Sequence, residues 1–408
     1  MRLMIAGGGY VGLTTAVGFA RRGHTVDLVE IDGERAEQLR RGELPFDEPS
    51  LAGHLGQAVE RSIRVHDRYP ERIECIDFAF VCVDTLQTET GDLDESRVFA
   101  AAESLLDSCG GFVRLVLRST LNPGTAERLQ SHLTERGREC TVLVNPEFLR
   151  EGTALLDFDL PSFRVIGGSD EASLEALACL YSFSDAPIIR TDPTTAAVVK
   201  MAVNASLAVR VSMANEIAYI AEAAGADVET ALASVGADAR IGRDYLQPGI
   251  GFGGSCLPKD LNAFRAFARS AGVSSNVFDG AAATNDDAID RLVARTLALT
   301  SPNFGARVCV VGLGFKPGSS SLRASQAVRL VRALQREGLS VSVCDPVAEE
   351  HARAEFGDTV EYVTVLEEAA SNHDVVIKVH PGGAIEFDTA PRMQILDGMA
   401  RPLRPAHE

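Results

Sequence analysis

The sequence predicts an α/β protein in which two Rossmann-like, doubly wound units are joined by a long central helix. Three observations carry this. A short apolar run, Leu3-Met4-Ile5-Ala6, opens directly into a glycine turn, Gly7 to Gly12, and then into a helical pattern. A second run, Arg307 to Val311, opens into Gly312-Leu313-Gly314. Between them no proline interrupts Thr194 to Gln247, and Ala196 to Ala224 is alanine-rich up to Gly225. The 408 residues exceed what one core serves, and 46% hydrophobic against 24% charged residues exclude a disordered chain.

In order, the first strand is Leu3 to Ala6, and the next helix, with Val11, Ala16, Val17 and Ala20 in its apolar pattern, stops at Gly23. Thr25 to Glu30 is the second strand. Phe78 to Val83, Val113 to Leu117 and Thr141 to Val144 follow, alternating with helical stretches as in a parallel doubly wound sheet. The alanine-rich stretch predicts one helix of ~45 Å. A third block begins near Pro302, and its second strand, Ser340 to Cys344, ends at Asp345. The tail from Pro391, spotted with proline and arginine, is expected to be loosely held. The domains expected are 1–192, 193–300 and 301–408.

Charge and cysteine usage narrow the function. Thirty-nine Lys and Arg against 57 Asp and Glu leave a net charge of −18, which argues against nucleic acid and requires local cations for any anionic ligand. No apolar run approaches the roughly 20 residues of a membrane span, and Met1 leads at once into the first strand, so neither a span nor a signal peptide is expected. The 8 cysteines lack a CxxC pair, which fits a reducing cytoplasm and predicts no metal.

Gly7-Gly8-Gly9-Tyr10-Val11-Gly12 fits the dinucleotide fingerprint. Gly7 makes the turn, Gly9 admits the pyrophosphate and Gly12 lets helix meet strand. Glu30, 21 residues beyond Gly9, sits where an acid accepts the ribose hydroxyls and repels a 2′-phosphate, which favours NAD over NADP. Arg35 is a candidate on the adenosine side or an ordinary surface arginine. The turn Gly312 to Gly318, with Phe315 and Lys316, lacks a helix-opening third glycine and is either a phosphate site or a structural turn. The loop Gly251 to Asp260 surrounds Cys256 with glycine and serine and places Lys259 nearby to favour thiolate, so Cys256 is the candidate nucleophile. Lys200 and Asn204, at i and i+4, share one helix face.

Together these residues resemble the UDP-glucose/GDP-mannose dehydrogenase family. The resemblance covers Gly7 to Gly12, Arg118-Ser119-Thr120 with Pro123-Gly124-Thr125, Asn145 to Gly152, Lys200 with Asn204, and Gly251 to Asp260. It implies an NAD domain, a helical dimer core and a nucleotide-sugar domain. It also implies a four-electron oxidation in which a carbon-6 alcohol becomes a carboxylate while two NAD are reduced. By the same resemblance Cys256 is the nucleophile, Lys200 and Asn204 stabilise the oxyanion, Asp260 partners the catalytic water, and Glu147, Glu151 and Thr120 complete the catalytic set. Glu147 is the candidate base for hydrolysis.

The cofactor contacts expected are Gly7, Gly9, Tyr10, Val11, Gly12, Glu30, Arg35, Thr85, Thr120, Glu151, Lys259 and Arg323. The substrate contacts expected are Glu147, Phe148, Leu149, Lys200, Asn204, Arg240, Tyr245, Leu246, Gly249, Gly253, Cys256, Phe315 and Lys316, with Arg240 reaching a neighbouring subunit. Departures from the family pattern fall at Asp84-Thr85-Leu86, Ser319 to Ser325 and His380 to Gly383. Arg240-Ile241-Gly242 resembles the UDP-glucose branch, whereas Leu257 and Arg118 are also similar to the GDP-mannose branch. UDP-glucose is the expected substrate. A two-electron dehydrogenase and a non-catalytic NAD-binding regulator are the competing readings, and Cys256 argues against the first.

Overall fold

The computed structural model describes residues 1–300, 306–364, 372–380, 394–399 and 401. The chain forms two compact units, Met1–Val203 and Asn204–Glu408, divided within one helix.

In the first unit the strands β1 (Arg2–Ala6), β2 (Thr25–Val29), β3 (Ile63–His66), β4 (Phe78–Val81), β5 (Val113–Leu117), β6 (Cys140–Val144), β7 (Arg164–Gly167) and β8 (Ile188–Thr191) make one sheet. Their spatial order is β8-β7-β6-β5-β4-β1-β2-β3. Strands β1 to β6 are parallel to their neighbours, while β7 meets β6 antiparallel at Val144 and Gly167, so the sheet departs from the all-parallel expectation at that edge. Side chains alternate between two buried layers. Leu3, Ile5, Val26, Leu28, Phe78 and Phe80 fill one core, and Met4, Ala6, Val29, Ala79 and Val81 the other. A sheet covered on both faces explains why its central strands read as continuous apolar runs. Each fully buried Leu or Phe contributes about 1.5–3 kcal/mol.

The covering helices are α1 (Tyr10–Ala20), α2 (Gly33–Arg40), α3 (Pro49–Arg61), α4 (Ser96–Ser108), α5 (Thr125–Glu135), α6 (Ala154–Asp159) and α7 (Glu171–Leu180). Then comes α8 (Pro193–Ala223), whose 31 residues span ~46 Å. Contrary to the sequence expectation, α8 is long and apolar enough, by length and composition, to cross a membrane. Its polar residues are nonetheless engaged within the protein: Ser212 donates to the Ala281 carbonyl and Asn215 accepts from the Gly249 amide.

The second unit continues with α9 (Val228–Ala237), α10 (Leu257–Ser270) and α11 (Asn276–Thr300) before a parallel sheet. That sheet comprises β9 (Arg307–Val311), β10 (Ser340–Cys344), β11 (Glu361–Tyr362), β12 (Val375–Lys378) and β13 (Gln394–Asp397), in the order β11-β10-β9-β12-β13. Helices α12 (Gln326–Arg336) and α13 (Glu349–Phe356) cover it. The tail is not loose throughout: β13 pairs with β12 along its length, Ile395 and Leu396 are buried, and Arg401 is bonded to Asp397. Pro302, Pro381 to Gly383 and Pro391 lie outside the described residues.

Candidate functional site

A glycine turn and four polar residues of the first unit follow the carboxyl ends of parallel strands, where ligands of open α/β sheets are held. The glycine turn follows β1, Glu30 follows β2, Thr85 follows β4, Thr120 follows β5 and Glu147 follows β6. Gly7 has φ +101°, and a Cβ there would lie 2.6 Å from the Cys82 carbonyl oxygen. A Cβ at Gly12 would lie 1.8 Å from the Gly7 carbonyl oxygen, so only glycine lets α1 start this close to the turn. Gly9 is the N-cap of α1, with open space before it, no side-chain cap and no acid in the first turn. Glu30 is buried and accepts the Gly8 amide at 3.0 Å and the Asp32 amide at 2.9 Å. The Arg35 guanidinium lies 3.5 Å from the Glu30 carboxylate. Thr85 is buried, and Ser119 ties its loop down by donating to the Val83 carbonyl at 2.6 Å. Thr120 and Glu151 are half-buried.

Glu147 and Lys200 form a buried pair in the same unit. The Lys200 ammonium donates to Glu147 Oε1 at 2.9 Å and to the Glu147 carbonyl at 2.7 Å, while Glu147 Oε2 accepts the Leu149 amide at 2.7 Å. Burial pushes the Glu147 carboxyl up, but Lys200, the Leu149 amide and Arg118 outweigh it and hold the group below the usual carboxylate range. Phe148 packs on Phe163, with ring centroids 5.0 Å apart, and its ring lies 5.4 Å from the Lys200 ammonium.

In the second unit, Asn204 begins one turn beyond Lys200 on α8 and donates to Asp260 Oδ2 at 2.5 Å. Asp260 is fully buried, and its Oδ1 lies 3.1 Å from the Lys259 ammonium without accepting a hydrogen bond among the described residues. Lys259 is thus paired with Asp260, a partner that the sequence does not point to. Cys256 is exposed at the N-cap of α10 and makes no capping bond, and Ser255 Oγ lies 3.5 Å from its sulfur. Burial raises the thiols of Cys82 and Cys309 to about 12, which keeps them protonated.

The glycine loop before Cys256 is held by residues that sequence reasoning missed. Asn215 accepts the Gly249 amide at 2.8 Å, Asn285 both accepts from and donates to the Phe252 backbone, and Gln326 donates to the Ile250 carbonyl. Gly253 faces the Ala324 carbonyl and Gly254 the Phe315 ring, and neither leaves room for a Cβ. Arg210 donates to three carbonyls, those of Ile241, Gly242 and Asp244, each at 2.9 Å. This fixes the segment in which Tyr245 holds the left-handed φ of 61° and Leu246 is buried.

Arg240 is exposed and paired with Asp238, Arg323 is exposed, and Lys316 lies 5.7 Å from the Phe315 ring. In the second glycine turn the Leu313 and Gly314 amides donate to Asp345, and Ser325 donates to the Leu313 carbonyl. A single isolated asparagine, glutamine or arginine within a helical pattern carries no motif, so only the fold reveals these clamps.

Models of three successive segments match the chain. The NAD binding domain of the UDP-glucose/GDP-mannose dehydrogenase family matches residues 1–184, the central domain 194–287 and the UDP binding domain 309–399. The chain belongs to the UDP-glucose/GDP-mannose dehydrogenase family. Among its relatives is the UDP-glucose 6-dehydrogenase TuaD of Bacillus subtilis, 34% identical over 92% of this chain and 82% of that protein. A UDP-glucose dehydrogenase structure from Pyrobaculum islandicum superposes with a TM-score of 0.92 at 35% identity, covering 97% of this chain and 94% of the other. A GDP-mannose dehydrogenase from Pseudomonas aeruginosa superposes at 0.57 with 29% identity, covering 100% and 98%.

As a member of this family the protein is an NAD-dependent oxidoreductase acting on nucleotide sugars. The residues present fit NAD: the uncapped, acid-free start of α1 behind Gly9 offers backbone N–H groups to a pyrophosphate, and buried Glu30 offers a carboxylate to ribose hydroxyls. Bound there, NAD supplies the acceptor for the hydrides that the substrate loses.

Proposed function

We propose that this dehydrogenase oxidises the carbon-6 alcohol of UDP-glucose to the carboxylate, a four-electron change passing through a thiohemiacetal and a thioester on Cys256. One observation carries the reading: an exposed cysteine stands at the N-cap position of α10, and one turn later the buried Asp260 on that helix is bonded to Asn204. The amino end of a helix favours an anionic sulfur.

In the first oxidation Lys200 and Asn204 stabilise the alkoxide as the hydroxyl proton leaves, and Asp260 relays that proton through water. Loss of a hydride from carbon 6 gives the aldehyde. The Cys256 thiolate adds to it, forming the C–S bond, and the same donors receive the new oxyanion. Loss of a second hydride gives the thioester. Glu147, held ionised, takes a proton from the attacking water, the C–S bond breaks and the carboxylate leaves. Thr120 and Glu151 bind and orient within this set.

In the same proposal 1–192 is the NAD domain, 193–300 the helical dimer core and 301–408 the nucleotide-sugar domain. The substrate contacts of the central and last parts are Arg240, Tyr245, Leu246, Gly249, Gly253, Phe315 and Lys316, and Thr85, Lys259 and Arg323 contact the cofactor. None of the eight cysteines is bonded to another, which supports action in a reducing cytoplasm. Similarity at a TM-score of 0.92 to a UDP-glucose dehydrogenase supports UDP-glucose. Arg118 and Leu257 keep GDP-mannose as the second reading.

A panel of UDP-, GDP- and dTDP-sugars, followed by nicotinamide absorbance with NAD or NADP, tests this. UDP-glucose with NAD is expected to give the highest kcat/KM. Because Arg35 offsets part of the charge of Glu30, NADP is expected to be weaker by about tenfold rather than abolished. A higher value for GDP-mannose, or equal turnover of NADP, would reverse the corresponding assignment. Homodimerisation through α8 is expected because exposed Met213 and Ile220 leave apolar surface on that helix. A monomer by light scattering at micromolar concentration would exclude it.

A further inference from the structure

No motif accounts for Glu48, whose side chain is 1% exposed and accepts four hydrogen bonds. Its Oε2 takes the Tyr10 hydroxyl at 2.7 Å and the Gly152 amide at 2.6 Å. Its Oε1 takes the Ser50 hydroxyl at 2.5 Å and the Ser50 amide at 3.3 Å. Glu48 is the N-cap of α3, but that duty uses only the Ser50 amide. Of the other three, the Ser50 hydroxyl is local, while Tyr10 and Gly152 lie 38 and 104 residues away. Tyr10 opens α1 immediately behind the glycine turn, while Arg150 and Gly152 flank Glu151. The Arg150 carbonyl lies 2.8 Å from the same Tyr10 hydroxyl, and the Leu155 amide donates to Ser50 Oγ at 3.2 Å.

The charge states suit a latch. Burial, then the bond to Glu48, pushes the Tyr10 phenol far above its ordinary value, so it stays a neutral donor. Burial raises the Glu48 carboxyl, but its bonds to Ser50, Tyr10 and Gly152 outweigh that and keep it ionised. Hydrogen bonds to a buried charge are among the stronger ones a protein makes.

We infer that the half-buried Tyr10 and the buried Glu48 form a latch holding the glycine turn and the Arg150–Gly152 loop in one register, and that Glu48 is a positioning residue for NAD. The inference rests on the NAD-binding assignment of the first unit. It has a built-in control. Glu147 is anchored separately, by Lys200 and the Leu149 amide, and Arg150 is also held by Asp157, so loss of the latch frees the Gly152 amide and uncouples the loop from Tyr10 while leaving Glu147 in place.

The test compares Tyr10→Phe, Glu48→Gln and the double variant in the full chain, with NAD titrated calorimetrically. Tyr10→Phe removes one hydroxyl and keeps the ring that packs on Phe46, with centroids 5.5 Å apart. Each single variant is expected to weaken the NAD dissociation constant about tenfold, with KM for NAD rising in parallel and KM for the sugar changing less than about twofold. The double variant should be no weaker than the worse single, because both break one device. An unchanged NAD affinity in Tyr10→Phe, or additive losses in the double variant, would overturn the latch and reduce Glu48 to a helix cap, visible only as a lowered Tm. Wild-type protein that binds no NAD would instead overturn the cofactor assignment, and the latch with it.

Discussion

Cys256→Ala is expected to yield at most one slow equivalent of NADH per sugar, with aldehyde bound or released, where the wild type is expected to yield two and a uronic acid. An aldehyde cannot give up a second hydride until it becomes an addition complex, and alanine offers no atom to add. Supplying the aldehyde directly should not rescue the variant. The substitution is mild for the fold, since Cys256 is exposed and makes no side-chain capping bond at the start of α10. Lys200, Asn204 and Asp260 keep their partners, so the first oxidation should survive. No buried thiol can substitute: Cys82 and Cys309 are held protonated, with their thiols raised to about 12. Uronic acid made with two NADH at near wild-type rate would reduce Cys256 to a loop residue and end the thioester mechanism.

What was legible in the sequence has a common cause. The glycine turn, β1, β2 and α8 announce themselves because their residues repeat locally, as apolar runs, as glycines at fixed offsets or as an unbroken alanine-rich stretch. The loop-to-helix junction at Cys256 is legible because glycine crowds one side of it and helix formers the other. Strands β3 and β8 were not, since Arg64, His66 and Arg190 interrupt their apolar runs. Nor was the reversal of β7, which depends on where the chain re-enters the sheet rather than on the residues of the strand. The tail misled for a related reason: prolines and arginines surround Ile395-Leu396, yet pairing with β12 suffices to order that short segment. Clamps such as Asn285 on Phe252 and Gln326 on Ile250 join residues 33 and 76 positions apart, and no local pattern encodes them.

Lys200→Ala should lower kcat by roughly a hundredfold to a thousandfold while changing the KM for the sugar little, because a donor aimed at a developing oxyanion acts mainly in the transition state. The buried pair adds a second consequence. Glu147 is ionised against burial chiefly because the Lys200 ammonium lies 2.9 Å from it. With the ammonium gone, burial and the two remaining aids, the Leu149 amide and Arg118, must settle the balance, and the carboxyl rises toward or above its ordinary value. A base with a higher pKa is ionised only at higher pH, so the acid limb of the residual pH–rate profile should move to higher pH than in the wild type. The two readouts separate the roles. A collapsed kcat with an unmoved acid limb would leave Lys200 as the oxyanion donor and remove Glu147 as the base, whereas an unchanged kcat would refute the donor role whatever the pH profile shows.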